Sequence, residues 1–528
     1  MSERNLARLT SVRIQGFKRD LLWLAPAVLS TLCVFYFYLD SHPYPSFGSG
    51  LYMLISERII EAGYALPETI PYYTDEGVPF AYPPLMFYVV AVIRDVTGLG
   101  PIAISRYLPG VVTVAYLVPT YLLARDLLAS RPQAAVASLV VAVSPPVLRW
   151  HISAGGVVRA PAFLLAVTGI YAGLRLYRDR DSRWVVPSLV LFGLTVLTHP
   201  MYTVFFALSY FLLYLQFDRT RWGLTRGMVA GFGGILLAAP WWTQVMAIHG
   251  VDVFTGAAGT HGGIGGGVPA LAEVTRIDFT SLEVVWQLLP VVGIVYLFRL
   301  GRYFLPVWLV AVTLALGKPR FSVFVGAFVV AVFLLEGVWE WLNLDEWSVS
   351  RRRLVTVALV GLATVGVAGG AMYASGAMNA HAGSPSQPQF IDREDVAAMN
   401  WVERNTASDA TFVVQGDAAE WFPQQTRRTM LVGPWGVEWK GSDAYTRQLE
   451  LYEAVSECNS AQCMSATLAE ENVRPDYIYL PKGRFTVRGM EYQRTSQLAM
   501  SMHVSPEYQT VYENEGVIVF ETMAGEGE

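Results

Sequence analysis

Apolar runs long enough to cross a bilayer alternate with short polar gaps over most of this chain. At about twenty residues per crossing, they predict about eleven membrane helices, at 21–39, 104–127, 134–150, 157–177, 185–198, 201–217, 228–248, 284–300, 303–316, 321–341 and 354–373. After Gly376 the pattern changes: charge rises, acidic residues outnumber basic ones, and apolar runs shrink to strand length. There Val396, Met399 and Val402 recur at helical spacing, 411–414 and 477–480 read as buried strands, and 511–513 with 517–520 reads as a closing hairpin. The expected fold class is a polytopic α-helical membrane domain, 1–376, carrying a C-terminal α/β domain, 377–528.

Charge decides how the helices are threaded. Basic residues gather in alternate gaps: a leader with Arg4, Arg8, Arg13, Lys18 and Arg19, then Arg125/Arg131, Arg175/Arg178/Arg180/Arg183, Arg219/Arg221/Arg226, Arg299/Arg302 and Arg351/Arg352/Arg353. They share one side only if the segment 83–98, which opens with a Pro-Pro pair and carries Arg94 and Asp95, lies on the surface as an interfacial helix. If it crossed, every later basic gap would oppose the leader. The positive-inside rule therefore predicts a multi-pass protein of the cell membrane with a cytoplasmic N-terminus and an extracytoplasmic C-terminal domain. The first run ends in Phe35-Tyr36-Phe37-Tyr38-Leu39-Asp40, with no small-x-small cleavage pattern, and reads as a retained anchor.

Composition agrees: 53% hydrophobic, 15% charged and a mean hydropathy of +0.38 lie outside the range of a soluble domain. No basic patch or nucleic-acid reader motif accompanies the net charge of -5, so the expected partners include membrane lipid and no nucleic acid. Cys33 falls in the first apolar run, whereas Cys458 and Cys463 are close enough to bridge in an extracytoplasmic domain. The loop 250–283 contains a glycine-rich stretch, 259–267, that reads as a tether or lid, since no strand precedes it as a phosphate cradle requires. There is no Asn-x-Ser/Thr sequon.

Ionisable groups on the side poor in Lys and Arg are the functional candidates. Asp40 stands where the first helix meets a long acidic loop, 40–82. A carboxylate at that depth loses water and becomes a better base toward a hydroxyl. Asp40-Ser41-His42 offers two ligands to a divalent cation, which does not amount to a metal site, and no cofactor is expected. Arg106, Arg149, Arg159, Lys318 and Arg320 run against the charge trend. Each must find a carbonyl, a carboxylate or a phosphate, and Arg binds phosphate in a forked geometry. His151 and His199 occupy outer turns, where histidine also caps helices. Asp75 and Glu76 lie in the first loop.

This layout resembles the GT-C superfamily of polyprenyl-phosphate-dependent glycosyltransferases, particularly protein O-mannosyltransferases and the aminoarabinose transferase of lipid A. The likeness rests on Asp40 after the first helix, on Phe80-Ala81-Tyr82-Pro83-Pro84-Leu85 opening a juxtamembrane helix, and on Ser105-Arg106-Tyr107-Leu108 leading to Leu123-Ala124-Arg125-Asp126-Leu127. It continues through Ser144-Pro145-Pro146 to Arg159, and at Lys318-Pro319-Arg320-Phe321. The family's second acid is replaced here by Ala81 and Tyr82, which leaves Asp75 or Glu76 to reach in.

The resemblance implies a membrane enzyme that moves a sugar, with mannose as one candidate, from a polyprenyl or dolichyl phosphate donor to a hydroxyl on a glycan, glycolipid or protein. Asp40 would serve as base in an inverting reaction, and His42, Asp75, Glu76, Arg106, Arg149, His151, Arg159, His199, Lys318 and Arg320 would bind substrate. An oligosaccharyltransferase shares the architecture but normally carries Trp-Trp-Asp-Tyr-Gly, where this chain has Trp435-Gly436-Val437-Glu438-Trp439. A transporter or flippase places charges near the midplane, often in repeated halves, and no repeat is visible here.

Overall fold

The computed structural model describes residues 3–260, 284–342, 349–381, 384–493 and 497–523. Most of the glycine-rich stretch 259–267 lies outside them. Each of the eleven apolar segments coincides with a helix or a bent helix pair. Among the described residues six helices are long and apolar enough to span, two further pairs (Arg131–Val143 with Pro145–His151, Arg221–Leu237 with Ala239–His249) bend by 58° and 53°, and three apolar helices are shorter.

Proline sets several of the breaks. Pro101, Pro145, Pro200 and Pro319 each stand in the first turn of a helix, where the missing N–H is harmless and the fixed φ suits helix entry. The residue before a proline is pushed out of the helical region, so Ser144, His199 and Lys318 are extended. The helices starting at Gly156, Pro200 and Pro319 open toward the face that carries the C-terminal domain.

The segment 83–98 forms the helix Leu85–Thr97, which does not meet the length required of a span. It buries Met86, Phe87, Val90 and Ala91 against the loop helix Gly50–Glu61 and leaves Val89, Val92 and Val96 exposed.

The C-terminal domain is built on a five-stranded mixed sheet in the order Tyr508–Glu513, Val517–Thr522, Tyr477–Pro481, Thr411–Val414, Thr429–Met430. The first three strands are antiparallel and the last two run parallel to their neighbours. The helix Arg393–Asn405 begins with a capping box made by Asp392 and Asp395, and it buries Ala398, Met399 and Val402. Cys458 and Cys463 are bridged.

The domain's core does not stop at the membrane part. Leu51, Leu54, Ile55 and Ile59 of the first loop, Phe80, Phe87, and Val157 and Val158 of a membrane helix share one apolar cluster with Phe412, Trp421, Ile478 and Phe520. Polar bonds reinforce it: Glu57, buried in the loop helix, pairs with Arg94 (2.7 Å) and with Arg427 of the domain (2.7 Å), and accepts from Gln424 (2.8 Å). Loop, domain and bundle therefore meet as one packed body, and the polar groups at their junction have fixed positions.

Candidate functional site

Three arginines come together at that junction. Arg149, in the last turn of Pro145–His151, lies over the rings of Trp150 (5.3 Å) and Phe47 (5.6 Å), and Arg159 lies over the same Trp150 (4.8 Å). Arg320 is 8% exposed and lies over Tyr202 (5.3 Å) and Phe321 (4.8 Å). The Tyr202 hydroxyl is 2.7 Å from His151 Nε2, and the His199 ring packs edge-on against Tyr202 at 5.1 Å. His199 also caps its own helix by accepting from the Met201 N–H, and Lys318 stands at the N-cap of the helix that carries Arg320. Arg149, His151, Arg159, His199, Lys318 and Arg320, all singled out in the sequence, thus belong to one neighbourhood.

None of these three arginines has a carboxylate within 4.0 Å among the described residues. The Nε groups of Arg149 and Arg320 are buried without a hydrogen-bond partner, as is Nδ1 of His151. Arg159 and Arg320 lie near enough to repel each other, and both stand in the opening turns of helices, where the macrodipole is positive. A cation there works against the dipole by about 0.3–1 kcal/mol. An arrangement of this kind suits an anion: aromatic faces hold the guanidinium groups, Arg159 donates to the Gly155 carbonyl (3.2 Å), and the buried Nε groups of Arg149 and Arg320 stay unspent.

Facing the arginines are groups that the sequence reading passed over. Tyr52, from the loop helix, meets Arg159; burial raises its phenol, while Arg159 draws it back. Glu420, in the short 3-10 turn Asp417–Glu420 of the domain, also feels Arg159. Burial first, and then the neighbouring Asp417, push its carboxyl up to about 8, opposed by Arg159 and Arg488. Tyr82 donates to the buried Glu438, and its ring packs against Trp439 at 4.8 Å. The stretch Trp435–Trp439, visible in the sequence only as a departure from a known motif, therefore sits against the first loop.

The other sequence candidates are placed elsewhere. Asp40 is exposed and makes no hydrogen bond or ion pair with any described residue; it shares the outward face of its helix with Tyr36 and Phe37, so the expected loss of water is not found there. Arg106 lies beside it, bonded to the Leu39 carbonyl and stacked on Tyr107 at 5.4 Å. His42 is buried as a structural tie: its ring stacks on Tyr38 (4.8 Å) and its Nε2 is 2.9 Å from the Gln387 carbonyl. Burial lowers its imidazole below the usual range. Asp75 and Glu76 sit on an exposed turn, with Glu76 3.9 Å from Lys440, so neither supplies the missing second acid.

Two cavities lie away from the arginines. One, of about 200 Å³, is apolar and opens between Tyr177, Phe192, Phe206 and Tyr210. The other, of about 160 Å³, lies at the carboxyl ends of Thr411–Val414 and Tyr477–Pro481 and is lined by Asp395, Gln415, Asp417 and Lys482. Among the described residues no three His, Cys, Asp or Glu side chains converge as metal ligands.

No sequence family and no curated protein matches the chain. Solved structures do. The oligosaccharyltransferase AglB from Archaeoglobus fulgidus, in complex with an inhibitory peptide and a dolichol-phosphate, superimposes with a TM-score of 0.56 at 14% identity, over 91% of this chain and 75% of its own. ArnT from Cupriavidus metallidurans, bound to undecaprenyl phosphate, superimposes with a TM-score of 0.54 at 15% identity, over 96% and 99% of the two chains. The chain therefore shares the fold of these two proteins, a multi-pass membrane bundle with a strand-containing C-terminal domain.

Proposed function

We propose that the chain transfers a sugar from a polyprenyl phosphate donor to an acceptor hydroxyl at the junction of bundle and domain. The observation that carries this reading is the trio Arg149, Arg159 and Arg320, buried or half-buried at helix N-terminal turns and at the end of Pro145–His151, with no carboxylate within 4.0 Å among the described residues. In a water-poor site such donors are worth most against charge that develops as the reaction proceeds. A sugar bound through phosphate leaves behind a phosphate whose charge grows as the anomeric bond breaks. ArnT bound to undecaprenyl phosphate and AglB in complex with a dolichol-phosphate support a lipid phosphate as the anion.

The acceptor oxygen attacks the anomeric carbon opposite the phosphate, so the configuration inverts. Arg149, Arg159, Arg320 and the adjacent Lys318 hold the departing phosphate, and Tyr202 fixes His151 beside Arg320. Tyr52, Tyr82 and the domain wall at Trp435–Trp439 enclose the acceptor side and exclude water, which orients the two reactants. The charge distribution of the gaps and the Cys458–Cys463 bridge support an extracytoplasmic domain and a cytoplasmic N-terminus.

The test is incubation of the purified full chain with radiolabelled dolichyl phosphate mannose or dolichyl phosphate glucose and a membrane extract. Label is expected to move into glycan, glycolipid or protein, and the labelled species names the acceptor. Flux of the labelled lipid across proteoliposomes without transfer would replace this reading with that of a flippase.

A further inference from the structure

Resting on the glycosyl-transfer reading above, we infer that the cavity at the carboxyl ends of Thr411–Val414 and Tyr477–Pro481 is an acceptor subsite that holds one neutral sugar ring of a glycan, beside the place of transfer. The sheet puts a crevice there. Thr411–Val414 is followed by Thr429–Met430 on one side, and the chain then crosses over to Tyr477–Pro481 on the other, both running parallel to it. The two connections part at the carboxyl end of Thr411–Val414, which is where open sheets of this kind bind ligands. The hairpin of Arg484–Val487 and Met490–Gln493 closes one side of the crevice. Asp417 pins that hairpin, accepting from the N–H groups of Arg488 (2.8 Å) and Gly489 (2.7 Å) as well as from the Tyr452 hydroxyl (3.0 Å). Gly416 lets it approach: its φ of +77° is left-handed, and a Cβ there would come within 2.9 Å of the Phe485 ring.

The lining selects the ligand. At about 160 Å³ the cavity is smaller than the ~300–1,000 Å³ of a pocket for a drug-sized molecule, so it takes one ring and not a nucleotide or a longer chain. Its wall is rich in acceptors: Gln415 is fully buried, spends its amide N–H on the Val455 carbonyl (2.6 Å) and leaves Oε1 without a partner, and Asp392 and Asp395 add carboxyl oxygens. The cations of the wall are spent, Lys482 on Glu513 (2.9 Å) and Arg484 on Glu491 (3.4 Å). Donors must therefore come from the ligand, which calls for several hydroxyls. Burial, and then Asp392, push the Asp395 carboxyl up to about 7, so the acids and the two cations leave little net charge, and a neutral ligand fits better than an ion. The half-buried rings of Phe390 and Phe485 offer apolar faces to the C–H side of a sugar. Position supplies the role. Phe390 packs edge-on against Phe47 at 5.6 Å, and Phe47 packs against Trp150 at 4.9 Å and lies under Arg149 at 5.6 Å. One side chain thus stands between the cavity and the arginines that hold the departing phosphate, and a glycan whose terminal sugar reacts there places a preceding sugar in the cavity.

The experiment uses the purified full chain and records saturation-transfer NMR with the methyl glycosides of mannose, glucose, galactose and glucuronic acid, alongside label transfer from dolichyl phosphate mannose and dolichyl phosphate glucose. At least one neutral glycoside is expected to bind, and the glucuronide is not. Gln415→Leu and Phe485→Ala are each expected to weaken that binding about tenfold and to raise the KM for the glycan acceptor by a similar factor, with kcat within about threefold of wild type. Arg159→Gln, at the place of transfer, is expected to leave glycoside binding unchanged. Thermal melting shows that a variant is folded; Phe485→Ala, on the outer hairpin, decides the matter if Gln415→Leu, which strands the Val455 carbonyl, does not fold. No neutral glycoside bound, tighter binding of the glucuronide, a folded variant that binds as wild type does, or binding lost in Arg159→Gln would each overturn the inference. A wild type that binds a glycoside but transfers from neither donor would remove the glycosyl-transfer reading and the acceptor role with it, whereas transfer without glycoside binding would remove the subsite alone.

Discussion

The two faces of the helical bundle treat their arginines in opposite ways. On the face away from the domain three of the basic gaps carry acids of their own: Arg125 and Arg131 reach Asp20 at 2.6 and 2.7 Å, Arg175 reaches Asp126 at 3.4 Å, Arg180 reaches Asp218 at 3.0 Å, and Arg302 reaches Glu336 at 2.5 Å. On the domain face Arg149, Arg159 and Arg320 have no carboxylate within 4.0 Å among the described residues, although they are the more enclosed set. Pairing satisfies a charge and anchors a helix end, so the first group explains itself as structure. An enclosed charge left without a counter-ion costs several kcal/mol in an apolar setting, and that cost is tolerated where a ligand completes the pair. On the proposed function, the paired face serves topology and the unpaired one phosphate.

The sharpest way to break this contrast is to neutralise one arginine on each face. Arg159→Gln and Arg320→Gln are each expected to lower kcat by about 10²–10³, roughly 2.7–4 kcal/mol of transition-state stabilisation, whereas Arg175→Gln is expected to change it less than threefold. Initial rates of label transfer by the purified variants decide the matter. Equal losses on both faces would mean that the arginines act through the fold alone.

Next in size is the effect of Asp40. Asp40→Asn is expected to lower transfer less than tenfold, because the side chain is exposed and without partners among the described residues. A loss comparable to that of Arg159→Gln, measured in the same assay, would place the base at the end of the first helix.

Why Asp40 was readable and Glu420 was not is a matter of range. The eleven apolar helical segments follow from run length, and the strands at Thr411–Val414 and Tyr477–Pro481 follow from their apolar composition; both are local properties. The cations Arg149, Arg159, Lys318 and Arg320 stand out because they oppose the charge trend, again a property of linear order. What the sequence could not supply was helix rotation: Asp40 lies three and four residues beyond Phe37 and Tyr36, which places it on their face, and only packing shows that this face points outward. Glu420 sits in a segment that looks like any acidic surface, and nothing short of its tertiary approach to Arg159 marks it. Tyr52 and Tyr202 were hidden for the same reason, since aromatic residues are common in every helix of this bundle.

A smaller effect tests the paired face. Asp126 receives Arg125 (2.7 Å) and Arg175 (3.4 Å) and is 11% exposed. Asp126→Asn keeps the shape but strands those cations, and is expected to destabilise by about 1–3 kcal/mol, seen as a lower apparent Tm at fixed scan rate. Transfer by the surviving folded protein should stay within threefold of wild type. A catalytic collapse without a fall in Tm would show that this face, too, handles substrate.

The finest distinction concerns pH. Without cations at bonding distance, the enclosed carboxyls of the domain side are raised: Glu420 to about 8, Asp395 to about 7, and Asp417 also upward, burial being the leading cause in each. Unfolded Asp and Glu titrate at about 3.9 and 4.3, so between those values and the folded ones the native state holds protons that the unfolded chain has released. The sign follows: this contribution to stability is complete below about pH 4 and is lost as pH rises through about 7 and then about 8. Apparent Tm is therefore expected to fall from pH 6 to pH 9. Asp395→Asn, which cannot ionise but can still accept from the Asp392 N–H, is expected to remove the part of the fall that runs up to about pH 7 and leave the part that continues to about 8. A flat Tm profile in the wild type, or one unaffected by Asp395→Asn, would mean that these carboxyls find partners in solution, and the contrast between the two faces would rest on the arginines alone.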